Sequence, residues 1–311
     1  MNKIILAFLT LISFAFGAEL RIGVQAYPLY APLWAAKELG YLDEEFEKVG
    51  VQYTWNVFAN GPLVNEGVRG GSIDLGIMAD LPAIIAKSVG LDIVLFANFG
   101  IGEKALALIV PANSPIKEVK DIKGKKIAYG KGTYAQHLLA LLLNNSGLKF
   151  SDITEINLAA GDIPAALERG DIDGAVVWEQ YISQLTVPNK ARVVADGTGI
   201  KLGNNISYIK RDFAKTHPEA LKAYIKAVQR GADYINNCVE EASKLLSPIF
   251  KVSPEILKSV FSHVEYYTKF EPRDIAEIEK VKNYVLKEKI IRKDVDIKDF
   301  ITTEYLDQAG I

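Results

Sequence analysis

Gly71-Ser72-Ile73-Asp74-Leu75-Gly76-Ile77-Met78-Ala79-Asp80 returns 99 residues later as Gly170-Asp171-Ile172-Asp173-Gly174-Ala175-Val176-Val177-Trp178-Glu179. Each copy opens on Gly-x-Ile-Asp, runs into a short apolar stretch and ends on an acid. A short apolar run bounded by turn residues reads as a buried strand. A second match precedes each copy: Tyr30-Ala31 stands four residues past Ala26, and Tyr134-Ala135 four past Gly130. Two matches in the same order point to two lobes of related construction.

Working outward, strands and helices alternate around each copy. Residues 20–25, 51–57, 73–78, 93–98 and 106–110 read as strands, with helices over 31–39, 63–69 and 83–88. The rhythm restarts with strands over 126–129, 155–158, 175–178 and 192–195 and helices over 134–144, 164–169 and 180–185, with Asp162 as a cap. Such alternation implies α/β lobes, each with a mostly parallel sheet. Beyond residue 210 the pattern becomes helical over 213–246, 254–267 and 273–286.

The chain has 311 residues, 49% of them hydrophobic, enough for two cores. A formal net charge of -2 with signs mixed along the chain carries no concentrated basic patch, so neither nucleic acid nor an anionic membrane is an expected partner. The N-terminus differs from the rest. Asn2-Lys3 precede an apolar stretch over 4–16, followed by the small residues Gly17 and Ala18 and then Glu19. This is the outline of a signal peptide over 1–18, and the stretch falls short of the roughly 20 residues a spanning helix needs. No cysteine lies near the cleavage site, so a soluble, unanchored mature chain is expected. The single cysteine, Cys238, sits amid helical spacing over 232–246 and reads as a buried structural residue. Three histidines without paired His/Cys spacing suggest no metal. Gly130-Lys131-Gly132-Thr133 lacks the full spacing of a phosphate loop, so no nucleotide or other cofactor is expected.

In open α/β sheets ligands bind outside the carboxyl ends of the strands, and with two lobes the site falls in the cleft between them. The residues just past each strand are therefore the candidates: Tyr27, Tyr30, Asn60, Gly61, Asp80 and Glu103 from the first lobe, Thr133, Tyr134, Asp162, Trp178 and Glu179 from the second, and Asn205 where the chain returns. The aromatics supply walls. The helix starts at residues 61–63 and 133–135 offer backbone N–H groups to an anion. Asp80 and Glu179 occupy equivalent positions straight after apolar strands, where a carboxylate is costly unless it is partnered.

Three stretches carry a family resemblance. Arg169 to Trp178 (Arg-Gly-Asp-Ile-Asp-Gly-Ala-Val-Val-Trp), Asp121-Ile122-Lys123-Gly124-Lys125-Lys126-Ile127-Ala128 and Arg211-Asp212-Phe213-Ala214-Lys215-Thr216-His217-Pro218 resemble runs of taurine-binding and aliphatic-sulfonate-binding receptors. That NMT1/THI5-like superfamily also contains nitrate receptors and receptors for thiamine-pyrimidine precursors. The resemblance implies a type II periplasmic binding protein: a monomeric receptor that closes two lobes on a small polar molecule and delivers it to the permease and ATPase of an ABC importer. Lobe one would comprise residues 19–106 and 206–311, with the helical C-terminal part packed on it, and lobe two residues 107–205. Ala79-Asp80, Glu179-Gln180 and Asn205 depart from the taurine pattern. They turn the expectation toward a ligand whose amine is read by Asp80 or Glu179 and whose sulfonate or carboxylate rests on the helix starts. Two other functions share the fold: an enzyme related to thiamine-pyrimidine synthesis, and a sensory receptor that docks to a membrane protein.

Overall fold

The computed structural model describes residues 18–311; the expected signal peptide lies, but for Ala18, outside them. The first run of elements is β1 (Glu19–Gln25), α1 (Ala31–Glu38), α2 (Tyr41–Glu47), β2 (Gln52–Phe58), α3 (Gly61–Arg69), β3 (Leu75–Ala79), α4 (Asp80–Ser88) and β4 (Ile93–Gly100). The second is β5 (Leu106–Pro111), β6 (Lys126–Tyr129), α5 (Tyr134–Asn145), β7 (Thr154–Asn157), α6 (Ile163–Arg169), β8 (Gly174–Trp178), α7 (Tyr181–Thr186) and β9 (Ala191–Asp196). The chain then returns through β10 (Asn205–Lys210) to α8 (Arg211–Thr216), α9 (Pro218–Asn237), α10 (Val239–Phe250), α11 (Pro254–Phe261), α12 (Pro272–Lys287), α13 (Ile297–Phe300) and α14 (Glu304–Ala309).

The strands form two sheets, ordered β2-β1-β3-β10-β4 and β7-β6-β8-β5-β9. The orders are equivalent, and β3 and β8 stand 99 residues apart, as the matched motifs do. The Gly-x-Ile-Asp aspartates serve the same purpose in both. The Asp74 amide donates to the Arg21 carbonyl at 2.8 Å, and Arg21 returns hydrogen bonds to the Asp74 carboxylate. In the second sheet the Asp173 amide donates to the Lys126 carbonyl at 2.9 Å, and the Lys126 amide donates to the Asp173 carboxylate at 2.8 Å. Each aspartate thus ties the entry of β3 or β8 to the start of its parallel neighbour, β1 or β6.

Each sheet carries one antiparallel strand among four that share a direction, as the expectation of mostly parallel sheets allows. β10 runs against β3 and β4, and β5 against β8 and β9. These are the strands that follow the two crossings. Both crossings leave from the carboxyl edge of a sheet, so the next strand enters at that edge and must run backwards. The expected helix over 213–246 is also divided. Pro218, which has no N–H to give an upstream carbonyl, opens α9, and Cys238 forms the junction to α10. Cys238 is consequently half-buried at a break rather than enclosed within a helix.

The helical C-terminal part packs on the first lobe. α9 lies against α1 so closely that a Cβ on Gly231 would stand 2.0 Å from the Pro32 carbonyl oxygen. α12 packs on α4, while its Tyr284 reaches His137 of α5 on the second lobe.

Candidate functional site

The carboxyl edges of the sheets face one another across a narrow cleft. The first lobe contributes Gln25 at the end of β1 and Tyr27 just past it, Asn60 and Gly61 at the start of α3, and Ala79 and Pro82 at the β3–α4 junction. The second contributes Thr133 and Tyr134 at the start of α5 and Trp178 at the end of β8. Among the described residues, none that lines the cleft is charged. The cleft holds a cavity of about 30 Å³, room for one or two waters, so the lobes stand close together.

Two helix starts meet at this cleft. Asn60 caps α3 by accepting the Leu63 amide at 3.1 Å. Thr133 precedes α5, its hydroxyl donating to the Gly130 carbonyl at 2.7 Å. The first amides of a helix have no carbonyl within the helix to bond, so Gly61 at one start and Tyr134 and Ala135 at the other are donors suited to an anion. Burial pushes the phenols of Tyr30 and Tyr134 well above their ordinary range, so both keep their protons. Gln25 is buried, its side-chain amide donating to the Ile77 carbonyl at 2.8 Å. An aromatic cluster closes the cleft: Tyr27 meets Trp178 edge-on at 6.1 Å between ring centroids, and Tyr134 lies 5.7 Å from Trp178. Tyr181 packs on both Tyr27 and Trp178.

Seven of the expected site residues therefore gather here: Tyr27, Tyr30, Asn60, Gly61, Thr133, Tyr134 and Trp178. The other five lie elsewhere. Asp80 opens α4 with its carboxylate fully buried; it accepts the Leu81 amide at 2.7 Å and pairs with Lys201 Nζ at 3.1 Å. Lys201 lies on the second crossing, equally buried, and also reaches Glu277 of α12 at 3.5 Å. Burial raises the Glu277 carboxyl above its ordinary value even beside that lysine. Glu179 is fully buried, accepts the Ser183 amide and hydroxyl at 3.0 and 2.8 Å, and meets His263 Nδ1 at 2.6 Å. Glu103 spans the two crossings, accepting the Gly199 amide at 3.3 Å. Asp162 is exposed before α6, and its side chain makes no capping bond. Asn205 is buried at the start of β10, its amide donating to the Gly203 carbonyl at 3.2 Å. Both carboxylates expected to read an amine are thus already occupied by bases of the protein itself.

Sequence reasoning did not anticipate Gln25, Tyr181, Lys201 or His263. Lys201 and His263 had a signal: a carboxylate straight after an apolar strand needs a partner, and two such carboxylates need two.

This arrangement is that of a two-lobed, type II periplasmic binding protein, with the solute cleft between paired α/β lobes. The NMT1/THI5 like family model matches residues 28–242, and the chain belongs to that family. It is 29% identical over 296 residues to a Bacillus subtilis protein named for binding aliphatic sulfonates, covering 94% of this chain and 88% of that one. An Escherichia coli protein of the same description is 30% identical over 260 residues, covering 82% and 80%. Among solved structures, the alkanesulfonate-binding protein of Xanthomonas axonopodis pv. citri bound to MOPS superposes with a TM-score of 0.84 at 27% identity, covering 93% of this chain and 99% of that one.

Proposed function

We propose that the protein is the solute receptor of an ABC importer and captures an alkanesulfonate, or a closely similar small organic anion, by closing its lobes. The observation that carries this reading is an uncharged cleft onto which two helix starts open. A sulfonate is permanently ionised and offers only acceptors. Backbone amides and protonated phenols match it without a cation, while Tyr27 and Trp178 suit its short apolar tail. The amine half of the earlier expectation loses its support, because Asp80 and Glu179 are already paired. Lobe one is taken as residues 19–106 and 206–311, and lobe two as 107–205. The ligand touches both, so its preference for the closed form drives closure. Removal of the signal peptide would leave a monomer free in the periplasm, where it meets the permease and, through it, the ATPase.

Thermal unfolding against a ligand panel tests this. Ethanesulfonate and longer alkanesulfonates are expected to raise the midpoint, with about 2.7 kcal/mol of stabilisation at a hundredfold excess over Kd. Ethylamine is expected to do nothing. A shift with amines or nitrate but with no sulfonate would overturn the ligand class. Chemical conversion of the bound compound would overturn the receptor reading in favour of an enzyme.

A further inference from the structure

The rings about the cleft grade from enclosed to open. Tyr30, Tyr134 and Trp178 are buried, as are Gly61 and Ala135 at the two helix starts, while Tyr27 and Tyr181 are only half-buried. The amide donors therefore lie deep, and the outermost rings stand between them and solvent. An anion seated on those donors points its tail outward, toward Tyr27 and Tyr181. These two rings come from opposite lobes: Tyr27 follows β1, and Tyr181 opens α7. Tyr27 is held by its hydroxyl, which donates to the Ala59 carbonyl at 2.8 Å, directly before the cap of α3. Tyr181 does not line the cavity but packs edge-on against two rings that do, 6.2 Å from Tyr27 and 6.3 Å from Trp178 between centroids. Its hydroxyl reaches the turn before α6, where a Cβ on Gly161 would stand 3.6 Å from it.

From this grading we infer that Tyr181 is a specificity-determining residue: it walls off the tail end of the cleft and denies long alkyl tails the affinity their length would otherwise give, so that the site serves short-chain sulfonates. In an open apolar channel each added methylene tightens binding by about fourfold. The cavity is about 30 Å³, so a tail gains room only by parting rings that already touch. A lengthening tail must separate Tyr27 from Trp178 and then from Tyr181, and edge-on ring pairs are favourable beyond the area they bury. Those losses offset the gain from the added methylenes. Truncating Tyr181 leaves Tyr27 and Trp178 to hold the first carbons and opens the space behind them to the rest of the tail.

This role deepens the proposed sulfonate reading and rests on it for its main readout. Titration calorimetry would measure Kd for ethane-, butane- and hexanesulfonate in the native protein, in Tyr181→Ala and in Tyr181→Phe. The native Kd is expected to change by less than about threefold along the series, the ring contacts offsetting the methylenes. In Tyr181→Ala hexanesulfonate is expected to bind about tenfold more tightly than ethanesulfonate, or better. Tyr181→Phe keeps the ring without the hydroxyl and is expected to follow the native series. A native series that tightens as an open channel would, or a Tyr181→Ala series parallel to the native one, overturns the inference. If Tyr181→Ala loses ethanesulfonate altogether, Tyr181→Leu, which keeps an apolar side chain without a ring, is judged by the same two criteria. If the native protein binds no member of the series, the sulfonate reading has failed, and the wall is then read without ligand by acrylamide quenching of tryptophan emission. Tyr181→Ala is expected to be quenched more than the native protein. The increase would come from Trp178, because Trp34 and Trp55 pack on each other at 5.0 Å on α1 and β2. Equal quenching overturns the wall.

Discussion

At the scale of single residues, the buried charges next to the cleft are paired within the protein itself. Lys201 carries no exposed surface, and its ammonium serves both Asp80 and Glu277. Removing one partner of a buried ion pair leaves the other uncompensated, at a cost of about 3–5 kcal/mol. Lys201→Met should destabilise the protein by that order in denaturant unfolding. Adding Asp80→Asn should restore part of the loss, since a neutral amide needs no counter-charge. An unchanged midpoint in Lys201→Met would mean that the triad contributes nothing. The sequence betrays the acids and hides the bases for a physical reason. Asp80 and Glu179 announce themselves because each breaks an apolar run at a position repeated in both lobes. Lys201, in Gly199-Ile200-Lys201-Leu202, and His263, in Ser262-His263-Val264, belong to no periodic pattern. They find their carboxylates 121 and 84 residues away, and only the folded chain brings them together. The seven cleft residues were legible because strand ends are predictable and the carboxyl edge of a sheet is where sites form.

At the scale of elements, the proposed anion site rests on two helix starts, and α3 allows this to be tested apart from stability. Asn60 both caps α3 and lines the cleft. Aspartate is an equally good cap and suits the positive end of a helix, so Asn60→Asp should unfold at nearly the native midpoint. It would, however, place a negative charge beside the bound anion. Two like charges about 6 Å apart at an effective dielectric near 20 repel by about 3 kcal/mol, so affinity for ethanesulfonate should fall by about a hundredfold. Calorimetry on the variant checks this, and retained affinity would place the anion away from α3. The same scale explains where the reading of the chain fell short. The strands flanking Gly-x-Ile-Asp were recovered, but β10 was not read as a strand, and β5 was read without its reversed direction, which leaves no mark in a short apolar run. The divided helix over 213–246 did carry a mark in Pro218, which periodicity alone overrode.

At the scale of the whole molecule, the lobes also touch where α12 reaches α5, and that contact weakens in acid. His137 of α5 stacks on Tyr284 of α12 at 4.2 Å, its ring buried and its Nδ1 without a partner among the described residues. Burial, helped by the charge of Lys201, pushes this imidazole down to about 2. The unfolded chain binds a proton at about pH 6.5 that the folded protein refuses. Stability from this group is therefore full above that pH and falls steadily on acidification toward the folded value, by about 1.4 kcal/mol per pH unit. At pH 4.5 the loss reaches about 2.7 kcal/mol, a large part of the usual net stability of a domain. His137→Phe keeps an aromatic ring against Tyr284 and removes the titration. Its unfolding free energy should fall less than that of the native protein between pH 7 and 4.5, by about that amount, when both are followed in urea. Parallel curves would mean that the ring is reached by water and titrates normally.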